Sequence, residues 1–216
     1  MKNILNLLRT VLKKISYWGL KNIIKFICFE TIYNIKFNSK TLFGIRNKEL
    51  DYTLKDGEEF IEYIPAPYFL LSKSLKKINL NIKDINFVDF GSGAGRVMEY
   101  FLDKNIKFAK GIELSKKLVQ ITESNLSKSD NFLLFNIDAK DYKVEQNDNL
   151  FFFYDPFGIE TMQHVVSNIV NSISIYPRHV NIIYVSPRYS ELFKYKFDVI
   201  YEEVNKHNLG IIIFSN

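Results

Sequence analysis

Residues Ile85 to Arg96 read Ile-Asn-Phe-Val-Asp-Phe-Gly-Ser-Gly-Ala-Gly-Arg: a short apolar run, an acid, then a glycine at every second position. Asn86 to Phe90 predicts a buried strand, because Phe87, Val88 and Phe90 are β-branched or aromatic and the glycines stop the run at once. Val97, Met98, Phe101 and Leu102 then recur at helical spacing, so the unit is strand, glycine-rich turn, helix. Glycine serves such a turn because the backbone must take positive φ and admit a ligand more closely than a Cβ allows. The helix that follows directs its first N–H groups toward that ligand.

Working outward, Phe108 to Ile112 predicts a second apolar strand ended by Glu113, twenty-two positions past Gly91. An acid at such a strand tip can accept hydrogen bonds from both hydroxyls of a ribose, which points to an adenosine ligand. Ser115 is placed to cap a helix over Lys116 to Asn125. A third strand spans Phe132 to Ile137 and is followed by Asp138 and Ala139, with Asp141 as the competing acid; either acid can instead cap a helix. The fourth, Leu150 to Tyr154, is so apolar that both its faces must be covered, as in a central parallel strand. It ends in Asp155-Pro156-Phe157-Gly158. A helix over Met162 to Ile173, a strand over Val180 to Val185 and a short helix over Tyr189 to Phe193 come next. Two final strands, Phe197 to Tyr201 and Leu209 to Phe214, are joined by the polar turn Asn205 to Asn208 without a helix, and therefore form an antiparallel hairpin.

The pattern Asp89-x-Gly91-x-Gly93-x-Gly95 resembles the first motif of class I S-adenosylmethionine-dependent methyltransferases. A dinucleotide fingerprint would need glycine where Arg96 stands. The resemblance runs from about Tyr63 to the C-terminus and extends more distantly to protein-lysine methyltransferases. It implies S-adenosyl-L-methionine as cofactor, with Asp89, Gly91, Ser92, Gly93, Gly95, Glu113, Leu114, Asp138, Ala139 and Asp155 around it. It implies a methyl acceptor of undefined identity, an N- or O-nucleophile with a protein amino group among the options. Asp155-Pro156-Phe157 resembles the fourth motif of amino-group methyltransferases but lacks its second proline. On this resemblance Asp155 orients or deprotonates the nucleophile and Phe157 stacks on it; a strand-ending turn is the plainer alternative. Such enzymes also place a helix ahead of the first strand with its entry over the cofactor, so Tyr63 and Tyr68 line that edge or else simply pack.

The single cysteine, Cys28, excludes a disulfide framework and a cysteine-rich metal site, and the three histidines stand without ligand spacing, so no metal is expected. The chain reads as cytoplasmic. Its net charge of +5 is uneven: residues 1–29 carry Lys2, Arg9, Lys13, Lys14, Lys21 and Lys25 and no acid, leaving the remainder at −1. A near-neutral catalytic part argues against a nucleic-acid face. Residues 2–16 place Ile4, Leu5, Leu8, Val11, Leu12 and Ile15 on one helical face opposite Lys2, Arg9 and Lys13, and a second apolar stretch runs from Leu20 to Phe29. Lysines interrupt both, which excludes a membrane span and a signal peptide. One hydrophobic face suits packing on the domain, the favoured reading, and equally suits peripheral contact with an anionic membrane, with Tyr17 and Trp18 at its boundary.

The expectation is thus an α/β protein: a Rossmann-like doubly wound sheet of about seven strands, mostly parallel with an antiparallel C-terminal hairpin, plus an N-terminal helical appendage. Residues 1–50 form the basic segment and 51–216 the methyltransferase domain. The alternative is a non-catalytic, membrane-associated binding module with a degenerate cofactor cleft.

Overall fold

The computed structural model describes residues 19–37, 41 and 64–216. Helix α1 (Leu20–Phe37) and α2 (Tyr68–Leu75) precede the glycine-turn unit, which consists of β1 (Asn86–Phe90) and α3 (Arg96–Asp103). There follow β2 (Phe108–Ile112), α4 (Lys116–Asn125), β3 (Phe132–Phe135), β4 (Leu150–Tyr154), α5 (Ile159–Ile175), β5 (Asn181–Val185), α6 (Glu191–Lys194), β6 (Asp198–Val204) and β7 (Gly210–Ser215).

The strands form one seven-stranded sheet in the order β3-β2-β1-β4-β5-β7-β6. β1 pairs in parallel with β2 on one side and β4 on the other. β7 runs antiparallel between β5 and β6. Strand order therefore reverses between β1 and β4, and their carboxyl ends frame the crevice where open α/β sheets bind ligands.

Two-residue periodicity sorts the side chains into two cores. Phe87, Phe152, Ile183, Val185 and Ile213 join Met98 and Phe101 of α3 on one face. Val88, Phe90, Phe151, Phe153, Ile182, Tyr184 and Phe214 join Met162, Val165 and Ile169 of α5 on the other. Both faces of β4 are covered, as its uninterrupted apolar run requires.

The sequence reading needs correction in the N-terminal part. Helix α1 runs on through residues 30–37, beyond the apolar stretch that ends at Phe29, because Phe29, Tyr33 and Phe37 recur at helical spacing and pack on the first core. Tyr33 lies 4.8 Å from the ring of Tyr68 and 5.2 Å from that of Tyr100, and Lys36 pairs with Asp103 at 2.5 Å. The helix expected over 2–16, Tyr17, Trp18, Tyr63 and the boundary drawn at residue 50 lie outside the described residues.

Candidate functional site

The loop after β1 is built from three consecutive demands on its backbone. Gly91, Gly93 and Gly95 adopt φ of 78°, 56° and 80°, a region that costs an L-residue roughly 1–2 kcal/mol. Space adds a second demand. A Cβ on Gly91 would stand 2.6 Å from Cβ of Pro156, and one on Gly95 would stand 2.5 Å from Cγ2 of Thr122. At these two positions the close approach is thus made by the β4 loop and by α4. Neighbouring elements hold the loop in place: the N–H groups of Gly91 and Ser92 donate to the carbonyl of Ile112. Thr122 Oγ1 donates to the carbonyl of Gly93 and Asn125 Nδ2 to that of Ala94, each at 2.9 Å.

The acids stand around this loop. Glu113, just past β2, accepts the N–H of Gly93 on Oε2 and that of Ser115 on Oε1, both at 2.9 Å. These two bonds tie the carboxylate at the β2 tip to both the glycine loop and the start of α4. Asn136 fixes the strand tip from below, donating to the carbonyls of Glu113 and Leu114 at 3.0 and 2.8 Å. Ser115 caps α4 by accepting the N–H of Leu118, and Leu114 is exposed.

Asp89 is different. It is 2% exposed, its Oδ2 and the Oγ of Ser92 make no hydrogen bond, and burial, followed by the negative charge of Glu113, holds its carboxyl well above the usual range. Leaving a buried carboxylate oxygen and a hydroxyl without partners costs on the order of 1–3 kcal/mol each. An orphaned buried carboxylate oxygen of this kind calls for a ligand.

On the third strand's side, Asp138 acts as a cap, accepting the N–H of Lys140 at 3.1 Å while pairing with its ammonium at 2.9 Å. Ala139 starts that 3-10 turn and packs against the second core, and Asp141 ends it exposed.

At the tip of β4, Asp155 has φ of 40° and Ser186, its counterpart after β5, has φ of 49°. Strain of this kind costs about 1–3 kcal/mol and gathers at functional sites. Asp155 Oδ2 pairs with Arg188 Nη2 at 2.7 Å, so its charge is shared with a guanidinium, which suits an orienting role better than that of a free base. Phe157 stands edge-on to Phe153, with ring centres 6.4 Å apart. Burial, then the Asp155 charge, pushes the Tyr154 hydroxyl up to about 12.

Sequence reasoning missed several residues. Arg96, which in the sequence marks only the absence of a fingerprint glycine, is buried and ties the start of α3 to α1 and to the lead-in of α2. Its Nε donates to the carbonyl of Ala66 at 2.8 Å, Nη1 to Thr41 Oγ1 at 3.3 Å, and Nη2 pairs with Glu30 of α1. Glu30 Oε1 in turn accepts the N–H of Tyr68 at 3.1 Å. The guanidinium lies 3.7 Å from the centre of the Tyr68 ring. Tyr68, expected at an open edge, is therefore fully buried beneath Arg96: the plain packing alternative describes it. Arg188, Thr122, Asn125 and Asn136 were also missed. A cation following Ser186-Pro187 at a strand end was the available signal for the first; nothing in the pattern marks the others. Among the described residues no cluster of histidine, cysteine, aspartate or glutamate is placed to hold a metal ion.

Strand order, the reversed seventh strand, and a positive-φ glycine loop flanked by acids at the tips of β1 and β2 together define the class I methyltransferase fold. The sequence model of the family described as "Histone methylation protein DOT1" matches residues 65–155, from the proline lead-in of α2 to the tip of β4. Two solved structures are similar in fold. The yhhF protein of Escherichia coli, a methyltransferase by name, has 15% identity and a TM-score of 0.57 over 68% of this chain and 85% of that one. The ribosomal protein L11 methylase of Lactobacillus delbrueckii subsp. bulgaricus has 11% identity and a TM-score of 0.53 over 68% of this chain and 75% of that one. No curated protein sequence matches.

Proposed function

We propose that this chain is a methyltransferase that uses S-adenosyl-L-methionine and acts on a nitrogen or oxygen nucleophile; a protein amino group is the class that the name of the matched family favours. The observation that carries the reading is the orphaned buried oxygen Asp89 Oδ2 next to the glycine loop, where the charge of Glu113 acts on it, together with the unpartnered Oγ of Ser92 in that loop. These residues fit the cofactor: a cationic amino-acid end answers a buried carboxylate, and a ribose diol answers the carboxylate of Glu113 at the strand tip.

When bound, the cofactor supplies a methyl group on a sulfonium that is its own leaving group. The chain's task is positioning. Glu113 holds the loop through Gly93 and Ser115 and accepts the ribose hydroxyls. A cation arriving beside Asp89 offsets the burial and the Glu113 charge that raise its carboxyl and so favours the ionised form. Asp155, fixed by Arg188 and by its strained backbone, orients the acceptor at the β4 tip, and Phe157 forms an apolar wall there. Calorimetric titration of the intact protein with S-adenosyl-L-methionine tests the proposal. One saturable site is expected, lost in Glu113→Ala and in Gly93→Val; absence of binding to the folded wild-type chain rejects it.

A further inference from the structure

We propose that the outward face of α1 docks the protein on an anionic lipid surface. The helix is two-sided. Phe29, Tyr33 and Phe37 pack on the first core, and Glu30 is buried in its pair with Arg96. On the opposite side Leu20, Ile24, Ile27 and Ile35 are 54–77% exposed. At about 100° per residue these four fall within a sector of roughly 80°. Thr31 lies within that sector and Cys28 at its edge; Lys21 and Lys25, also exposed, run along one flank with Ile32, and the charge of Lys25 also acts on Glu203 of β6.

Single exposed apolar residues are ordinary on a protein surface, and those elsewhere among the described residues are scattered. A stripe of four on one helix is not. Nor does the helix cross a membrane: no described helix is long and apolar enough to do so. An apolar stripe with lysines along one flank suits a helix lying in the plane of the lipid headgroups.

Charge selects the occupant. Glu30 is the only acid of α1 and points inward, and residues 1–29 carry six cations and no acid while the rest of the chain sums to −1. Lys21 and Lys25 stand on the same flank of the stripe, where anionic headgroups are attracted to both. Because Arg96 fastens α1 to the start of α3, the helix docks as part of the domain and the whole domain is oriented with it.

The test uses the full chain and vesicles of phosphatidylcholine with and without phosphatidylserine. Flotation with the phosphatidylserine vesicles and none with pure phosphatidylcholine is expected. A blue shift of an environment-sensitive dye on Cys28, the only cysteine, is expected to accompany it. Lys21→Gln with Lys25→Gln weakens partitioning by roughly 25-fold, at about fivefold per cation near the surface. Ile24→Asp with Ile27→Asp abolishes it. All four positions are exposed, so thermal melts of these variants stay close to wild type. The proposal is overturned if the aspartate variant floats as well as wild type, since residues 1–18 then suffice. It is also overturned if flotation ignores lipid charge, or if sedimentation without vesicles shows a dimer that the aspartate variant dissolves.

Discussion

Removing the Arg96 side chain tests whether α1 belongs to the folded domain. Arg96→Met keeps the stem and deletes the guanidinium, which is 2% exposed while its partner Glu30 is 9% exposed. The variant loses the charge-assisted bonds to Ala66, Thr41 and Glu30 and the stacking on Tyr68. More importantly, it leaves the Glu30 carboxylate buried with the Tyr68 N–H as its remaining donor among the described residues. Breaking a buried ion pair from one side costs about 3–5 kcal/mol. For a chain of this size that lowers the melting temperature by roughly 6–20 °C. Glu30→Met does similar damage by stranding the guanidinium. The double variant strands neither charge, so its cost falls short of the sum of the singles by at least about 2 kcal/mol. Urea melts of the four proteins measure the cycle. Strict additivity, or single-variant costs under about 1 kcal/mol, would refute the claim that the pair joins α1 to the glycine-loop helix.

Asp89→Asn is expected to stabilise the free protein at neutral pH by on the order of 1–3 kcal/mol while weakening cofactor binding. The raised carboxyl means that the folded state binds a proton more tightly than the unfolded one. Wild-type stability therefore falls as pH climbs from the ordinary carboxylate range through the folded value, and pH-dependent melts of the variant lack that decline. In calorimetry with buffers of different ionisation enthalpy, cofactor binding should release a proton from wild type and not from the variant. Gly95→Ala must place a Cβ both at φ of 80° and against Thr122, so urea melts should show a loss of about 2–5 kcal/mol. Asp155→Ala should leave cofactor affinity within threefold of wild type and abolish methyl transfer; Arg188→Ala should raise KM or lower kcat without loss of cofactor, measured by radiolabelled transfer once an acceptor is in hand.

Local chemistry made most of the fold legible. β1 and α4 have the limits that their apolar runs and the Ser115 cap imply, and the absence of a helix between the last two strands announced the reversed β7. The glycine spacing foretold positive φ, but not that Pro156 and Thr122 would fill the space beside Gly91 and Gly95, because those contacts join residues far apart in sequence. Long-range pairing explains the other omissions as well. Arg96 and Glu30 are 66 positions apart, and a lone arginine at a helix start carries no signal of what it will meet. Asp155 and Phe157 were marked by their place after the most apolar strand, whereas the Arg188 partner depended on β5 lying beside β4.

The central claim is that the hollow over Gly91, Gly93 and Gly95 receives an adenosine bearing an amino acid. A crystal structure of the protein with S-adenosylhomocysteine tests it most directly. The account predicts the ribose hydroxyls on Glu113 and the amino-acid end beside Asp89 and Ser92. A nucleoside bound elsewhere on the sheet, or a hollow that stays filled by protein side chains at saturating ligand, would contradict it.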